Sequence, residues 1–220
     1  MNPHAVTKDF ERALCDYTGA PHAVAVNSCT MALLLAVVWH LRHAIGGLSH
    51  IHDVTTWQDA PRIEIPKRTY ISVPMSIIHA GGRPTFRDED WKGAYQLKPL
   101  PVWDSARWFT KDMYIGGVLP ASGTMMCVSF HASKTLGLEQ GGAILHDNPE
   151  ADAWLRRARF DGRTEGVAPK DDTFNMIAWH AYMNPSTAAQ GILRLHSLPR
   201  HNEPLPNDEY VDLSKLDIFK

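Results

Sequence analysis

Apolar positions along this chain switch repeatedly between helical and strand spacing. Phe10, Ala13 and Leu14 recur on one helical face with Asp9 and Glu11 nearby, which predicts a helix capped by Thr7 and running through Tyr17. Residues 23–27 (AVAVN) then form a short apolar run of strand length, and the polar turn Asn27-Ser28-Cys29-Thr30 leads into the strongly helical stretch TMALLLAVVWHLRH. The same unit recurs as a strand at Arg62–Pro66, a turn at 67–72, a helix to about His79 and a strand at Arg83–Arg87. Residues 101–104, 124–130 and Gly142–His146 are further short apolar runs bounded by Gly, Pro or Asp, and read as strands. Helices are predicted over 150–160 and 186–196, the second from the stripe Ala188, Ala189, Ile192, Leu193 and Leu195.

Strands alternating with helices predict an α/β fold with a mostly parallel sheet sandwiched by helices. Residues 1–196 are expected to form that domain. Residues 197–220 carry Pro199, Pro204 and Pro206 among charges and are expected to form an extended tail, draped over the domain or mobile.

Composition narrows the function classes. With 22 Lys and Arg against 24 Asp and Glu, the net charge of −2 excludes a polybasic nucleic-acid arm. A 44% hydrophobic share over 220 residues suffices to bury a sizeable core. Cys15, Cys29 and Cys127 are odd in number and lack Cys-x-x-Cys spacing, so they suit neither a disulfide framework nor a thiolate zinc site; a reducing, cytoplasmic setting is expected. The start MNPHAVTKDFERA lacks an apolar signal core, and the run 31–39 falls short of the ~20 residues that span a bilayer, so neither secretion nor a membrane span is expected.

Ligands of open parallel sheets gather at the carboxyl ends of strands. Four polar groups follow apolar runs there: Ser28-Cys29-Thr30, whose N–H groups at a helix start would suit a phosphate; Thr69-Tyr70; Asp104; and Ser129, with Lys134 five residues on. Each has an ordinary alternative, as a cap, a packing residue, a turn residue or a solvated cation. His40/His43 and His50/His52 have metal-like spacing without a third acidic or Cys ligand, and no metal is expected. Trp57, Trp91 and Trp108 either line a substrate mouth or pack, and the loops Asp161-Gly162-Arg163 and Lys170-Asp171-Asp172 read as solvated charge.

Taken together and in order, AVNSCTMALLLA, IPKRTYISVPMSIIHAGGRPTFRD, VWDSA and SFHASKTLGLEQGGAI resemble the core signatures of the DegT/DnrJ/StrS-type sugar aminotransferases, which are fold-type I enzymes dependent on pyridoxal 5′-phosphate (PLP). The resemblance spans about residues 10–198, and Ser-Phe-His-x-x-Lys before Gly-Gly is its most specific part. It implies that Lys134 forms the Schiff base with PLP, that Asp104 pairs with the ring nitrogen, that Tyr70 stacks on the ring, and that Ser129 with Ser28, Cys29 and Thr30 holds the phosphate. It also implies an amino-acid donor, a keto acceptor on a sugar or similar molecule, and a homodimer. The chemistry suits these roles. A partly desolvated lysine beside a cationic ring becomes nucleophilic, and a carboxylate at the pyridine nitrogen keeps the ring an electron sink.

The departures are specific. Cys29 stands where the family usually has Gly, Gln140 where it commonly has Glu, and Arg107 where it usually has Gln or His; Arg107 would hydrogen-bond the phenolic oxygen of PLP or meet an anionic substrate. Only fifteen residues, EDWKGAYQLKPLPVW, separate Asp88 from Asp104, where the family has a further strand, helix and strand, and the chain stops at Lys220, where the family continues into a small C-terminal domain. A sheet with fewer strands and no full small domain is expected. Three functions remain open: the aminotransferase; a PLP enzyme of other chemistry, namely decarboxylation, elimination or condensation; and a non-catalytic binding relative.

Overall fold

The structure, a computed structural model, describes residues 4–43, 59–114, 123–206 and 210–220. Three strands of its main sheet lack a solvent-facing side because both faces are covered. In β1 (His22–Val26), Val24 and Val26 enter one core while Ala23 and Ala25 enter the other. β6 (Met125–Ser129) divides Met125 and Cys127 from Met126 and Val128 in the same way, and β7 (Gly142–His146) sets Ile144 against Ala143 and Leu145.

The first face is covered by α2 (Cys29–His43), apolar around nearly its whole circumference, and by α3 (Ser72–His79). α4 (Pro149–Ala158) adds Ala151, Leu155 and Ala158 to that core and is capped by Asn148, whose side chain accepts from the N–H groups of Glu150 and Ala151. On the second face α1 (Ala5–Thr18) packs on α5 (Pro185–Ser197), and a Cβ at Gly191 would lie 2.5 Å from the Phe10 ring, so only glycine permits this approach.

α1 begins earlier than predicted. His4, not Thr7, is its N-cap residue, and the His4 carbonyl accepts from the N–H groups of Thr7 and Lys8 while the His4 ring packs edge-on against Phe160 and Tyr182. That anchorage extends the helix, and Thr7 is buried within its first turn.

The main sheet has the order β1-β7-β6-β5-β4, with β5 at Val102–Asp104 and β4 at Tyr95–Gln96. β2 (Arg62–Pro66) and β3 (Arg83–Arg87) pair separately and in parallel. β1 and β6 both run antiparallel to β7, and β5 is parallel to β6. β4 is antiparallel to β5, and Glu64 bridges Lys98 in antiparallel fashion, which aligns β2 with β5. Five of the seven described strands therefore run one way, with β4 and β7 reversed. The α/β sandwich is as expected, but its ladders are mixed. The connection from β6 to β7 contains no crossover helix to return the chain for parallel pairing, and the short β4, which the pattern did not signal, folds back on β5 as a hairpin.

β1 lies at the sheet edge, and its outer backbone groups are taken up by side chains. Glu11 Oε1 accepts from the Ala25 N–H at 2.8 Å, and Arg156 and Arg159 donate to the carbonyls of Ala23 and Ala25. Glu11 in turn pairs with both arginines, Arg159 being 1% exposed. Residues 210–220 lie along the other side of the molecule: the Leu213 N–H donates to the Lys67 carbonyl at 2.8 Å, Asp212 bridges Arg68, and Phe219 packs near Phe86. No helix among the described residues is long and apolar enough to cross a membrane.

Candidate functional site

β1, β2, β5 and β6 end at the same edge of the fold, and the segments that follow them line one cavity of about 340 Å³. Ser28, Cys29, Thr30, Tyr70, Asp104, Arg107, Ser129 and Lys134 all face it. Residues up to 106 positions apart in sequence thus meet because the strand directions bring their carboxyl ends together.

The turn after β1 is built as a helix start. Ser28 caps α2, its Oγ accepting from the Met31 N–H at 3.2 Å and its carbonyl from the Ala32 N–H at 3.0 Å, so the ordinary reading of this serine as a cap holds for its hydroxyl. The N–H groups of Cys29 and Thr30 sit in the first turn, where an α-helix supplies them no acceptor. Thr30 Oγ1 lies 2.8 Å from Ser72 Oγ, which ties the start of α2 to the start of α3 and brings two positive helix ends together. The turn rests directly on β7: a Cβ at Gly142 would lie 2.5 Å from the Cys29 nitrogen. The neighbouring Gly141 has φ +140°, and a Cβ there would meet Met183 at 2.8 Å. Of the paired glycines, Gly142 is therefore a packing requirement of this turn, and Gly141 is required by its own backbone conformation.

Asp104 closes β5 and is 4% exposed. Its Oδ1 accepts from the Ala106 N–H at 2.9 Å and its Oδ2 from the Tyr95 hydroxyl at 2.7 Å. Burial pushes the proton affinity of this carboxyl up, against the pull of those two donors and of the Lys134 charge. Lys134 is half-buried, and its amine is pushed down, first by burial and then by the Arg107 charge, while Asp104 and Cys29 pull the other way. The net direction favours the neutral, nucleophilic amine. Burial keeps the Cys29 thiol protonated, its acidity being further reduced by Asp104.

Arg107 spans the cavity wall. Its guanidinium lies 5.5 Å from the centre of the Tyr210 ring, and its Nε is buried without a hydrogen-bond partner among the described residues. Trp91 donates through Nε1 to the Arg68 carbonyl and packs against Tyr95 and Tyr210, so it both packs and lines the mouth. Tyr70 stands on the lip, 57% exposed. His131 and Ser133 are joined at 2.9 Å on the same wall. Trp108 packs against the second core; Trp57, His50 and His52 lie outside the described residues. Among the described residues no group of three His, Cys, Asp or Glu side chains could hold a metal ion.

Sequence reasoning missed Tyr95 and Tyr210. Tyr95 sits on a strand of two residues, too short to show a period, and Tyr210 reaches the cavity only because the tail lies against the 67–70 turn.

Comparison with known proteins adds a family and a fold. The model of the DegT/DnrJ/EryC1/StrS aminotransferase family matches residues 4–111 and 102–204. Among solved structures, the sugar aminotransferase CalS13 from Micromonospora echinospora superposes with a TM-score of 0.65 at 17% identity, over 87% of this chain and 60% of that one. PseC of Helicobacter pylori, an aminotransferase involved in the biosynthesis of pseudoaminic acid, gives 0.62 at 18% identity, over 87% and 57%. NtdA of Bacillus subtilis, solved with bound cofactor PMP, gives 0.63 at 16% identity, over 88% and 48%. The chain thus spans about half to three-fifths of the length of these structures, which share its fold.

Proposed function

The chain belongs to the DegT/DnrJ/EryC1/StrS aminotransferase family, and from that premise we propose that it is a PLP-dependent aminotransferase moving an amino group from an amino-acid donor to a keto group of a sugar or similar acceptor. The observation that carries this reading is the meeting of Lys134 and Asp104 in one cavity with the joined starts of α2 and α3. A binding module has no need of a half-buried amine opposite a buried carboxylate.

The residues fit the cofactor. The first-turn N–H groups of Cys29 and Thr30, with Ser129, form an anion cradle for a phosphate, and Gly142 holds that cradle against the sheet. The buried, unpartnered Arg107 Nε is a donor in want of an acceptor, which a phenolic oxygen or a substrate anion would supply. When bound, PLP supplies an electron sink for the electrons released at the amino-bearing carbon. Lys134 would hold the cofactor covalently, and its amine, once freed, would carry the proton to and from that carbon. Asp104 would accept a hydrogen bond from the protonated ring nitrogen, Tyr70 on the lip would pack against the ring, and Arg107 would add a fixed positive charge, all three residues lining the cavity. The solved structure of DesI with its TDP-sugar product supports a sugar nucleotide as the acceptor class.

We further propose a homodimer acting in the cytoplasm, a setting that suits three free cysteines. The test of function loads the protein with PLP and incubates it with a panel of amino acids, assaying keto acid and carbon dioxide separately. Keto acid without carbon dioxide, together with borohydride-fixed pyridoxyl on the peptide containing Lys134, is expected. Pyridoxyl on another lysine, or on none, would sink the assignment, and carbon dioxide release would favour the alternative PLP chemistry.

A further inference from the structure

Asp104, on the cavity wall, is backed by a buried tyrosine. Tyr95 faces it directly across the β4–β5 ladder, and the pair is joined at 2.7 Å. Because the carboxylate can only accept, the Tyr95 proton is committed to Asp104, and the 2.6 Å contact between Tyr95 and Thr69 must then run from the Thr69 hydroxyl to the Tyr95 oxygen. All three side chains are buried, at 2%, 2% and 4% exposure.

We propose that Tyr95 is a positioning residue for Asp104, and that the chain Thr69 to Tyr95 to Asp104 holds the carboxylate ionised and aimed at the ring nitrogen of PLP. The assignment rests on the proposed PLP function. A carboxylate in a dry pocket loses its hydration, and each donor aimed at it replaces part of what water supplied. Cys29, Cys127, Tyr210 and Lys134 are the other titratable groups around it among the described residues, and of these only Lys134 offers positive charge. The Thr69 hydroxyl polarises the Tyr95 O–H, which strengthens the bond that Tyr95 gives. Burial also keeps Tyr95 protonated, so it stays a donor. Without that donor Asp104 becomes the stronger base, and the shared proton moves from the ring nitrogen towards the carboxyl.

The readout is the 15N chemical shift of PLP labelled at the ring nitrogen, bound to the protein. Wild type should show a protonated nitrogen, and Asp104→Asn should show the unprotonated shift as a reference. Tyr95→Phe should move the signal towards that reference and weaken PLP binding by about tenfold, the lower range for one hydrogen bond to a charged group. Thr69→Val, a gentler change, should move it the same way by less, and it carries the test if Tyr95→Phe does not fold. A merely structural tyrosine would alter the unfolding midpoint but not the nitrogen shift. Wild-type protein that takes up PLP while Tyr95→Phe and Thr69→Val keep its shift would overturn this assignment alone. Wild-type protein that takes up no PLP would overturn the proposed function and this assignment with it.

Discussion

Replacing Gly142 by alanine tests whether the turn that opens α2 is seated on β7. The added Cβ would lie 2.5 Å from the Cys29 nitrogen, 2.7 Å from the Ser28 carbonyl carbon and 2.8 Å from the Cys29 Cα. Carbon contacts are most favourable at about 3.5–4.0 Å, so the turn has to withdraw by roughly 1 Å. All three atoms are backbone, and no rotamer change relieves the clash. Gly142 does not occupy the left-handed region, so alanine there also loses less entropy on folding, worth about 0.4–1 kcal/mol in its favour. Against an overpacking cost of about 1–3 kcal/mol, the net destabilisation should be about 1–2 kcal/mol. Binding should suffer too. One lost hydrogen bond to the charged phosphate is worth about 1.5–3 kcal/mol, or roughly ten- to hundredfold in the PLP dissociation constant. Urea unfolding of the PLP-free protein and a PLP titration followed by tryptophan fluorescence measure the two effects. Gly19→Ala is the control: Gly19 has φ +78° and its Cβ would meet nothing closer than 3.8 Å. It should cost about 1 kcal/mol through backbone conformation alone and leave PLP binding unchanged. If Gly142→Ala unfolds and binds PLP as wild type does, the cradle does not depend on this contact and the account of Gly142 is wrong.

Arg107→Gln should shift the pH at which the PLP-free protein captures PLP to higher values, because removing a neighbouring positive charge lets Lys134 hold its proton longer; stopped-flow capture rates against pH would show it, and an unmoved midpoint with a raised KM for the acceptor would place Arg107 at the substrate instead. Glu11→Ala should destabilise by about 1–3 kcal/mol by leaving the Ala25 N–H unsatisfied and the buried Arg159 with Glu165, 3.5 Å away, as its remaining carboxylate partner, read from chemical denaturation; no measurable loss would mean that the cluster relaxes into water. Sedimentation of the 24.6 kDa chain should give about twice that mass if the homodimer forms, and a monomer that still binds PLP tightly would remove that proposal.

The apolar runs of this chain place most of its strands and helices within one or two residues, because runs such as 124–130 and the stripe of α5 need only local spacing to be read. The ordered polar residues after those runs, together with their resemblance to a family, also point to Lys134, Asp104, Ser129 and the Ser28–Thr30 turn, which the structure brings to one cavity. Pairing and partnership were not legible in this way. That β7 lies reversed between β1 and β6 depends on the path of the 130–141 connection, and no local pattern encodes it. Thr7 looked like a cap because the spacing of Phe10 and Leu14 is silent about His4, which is held by Phe160 and Tyr182 from the far end of the chain. Thr69, Tyr95 and Asp104 are separated by 26 and 9 residues, yet they form one hydrogen-bonded chain. The sequence alone settles which residue types stand at strand ends, since each strand reads off its own spacing. Which of them touch is decided by the tertiary structure, since burial, hydrogen-bond partners and shifted proton affinities arise only where distant segments exclude water from one another.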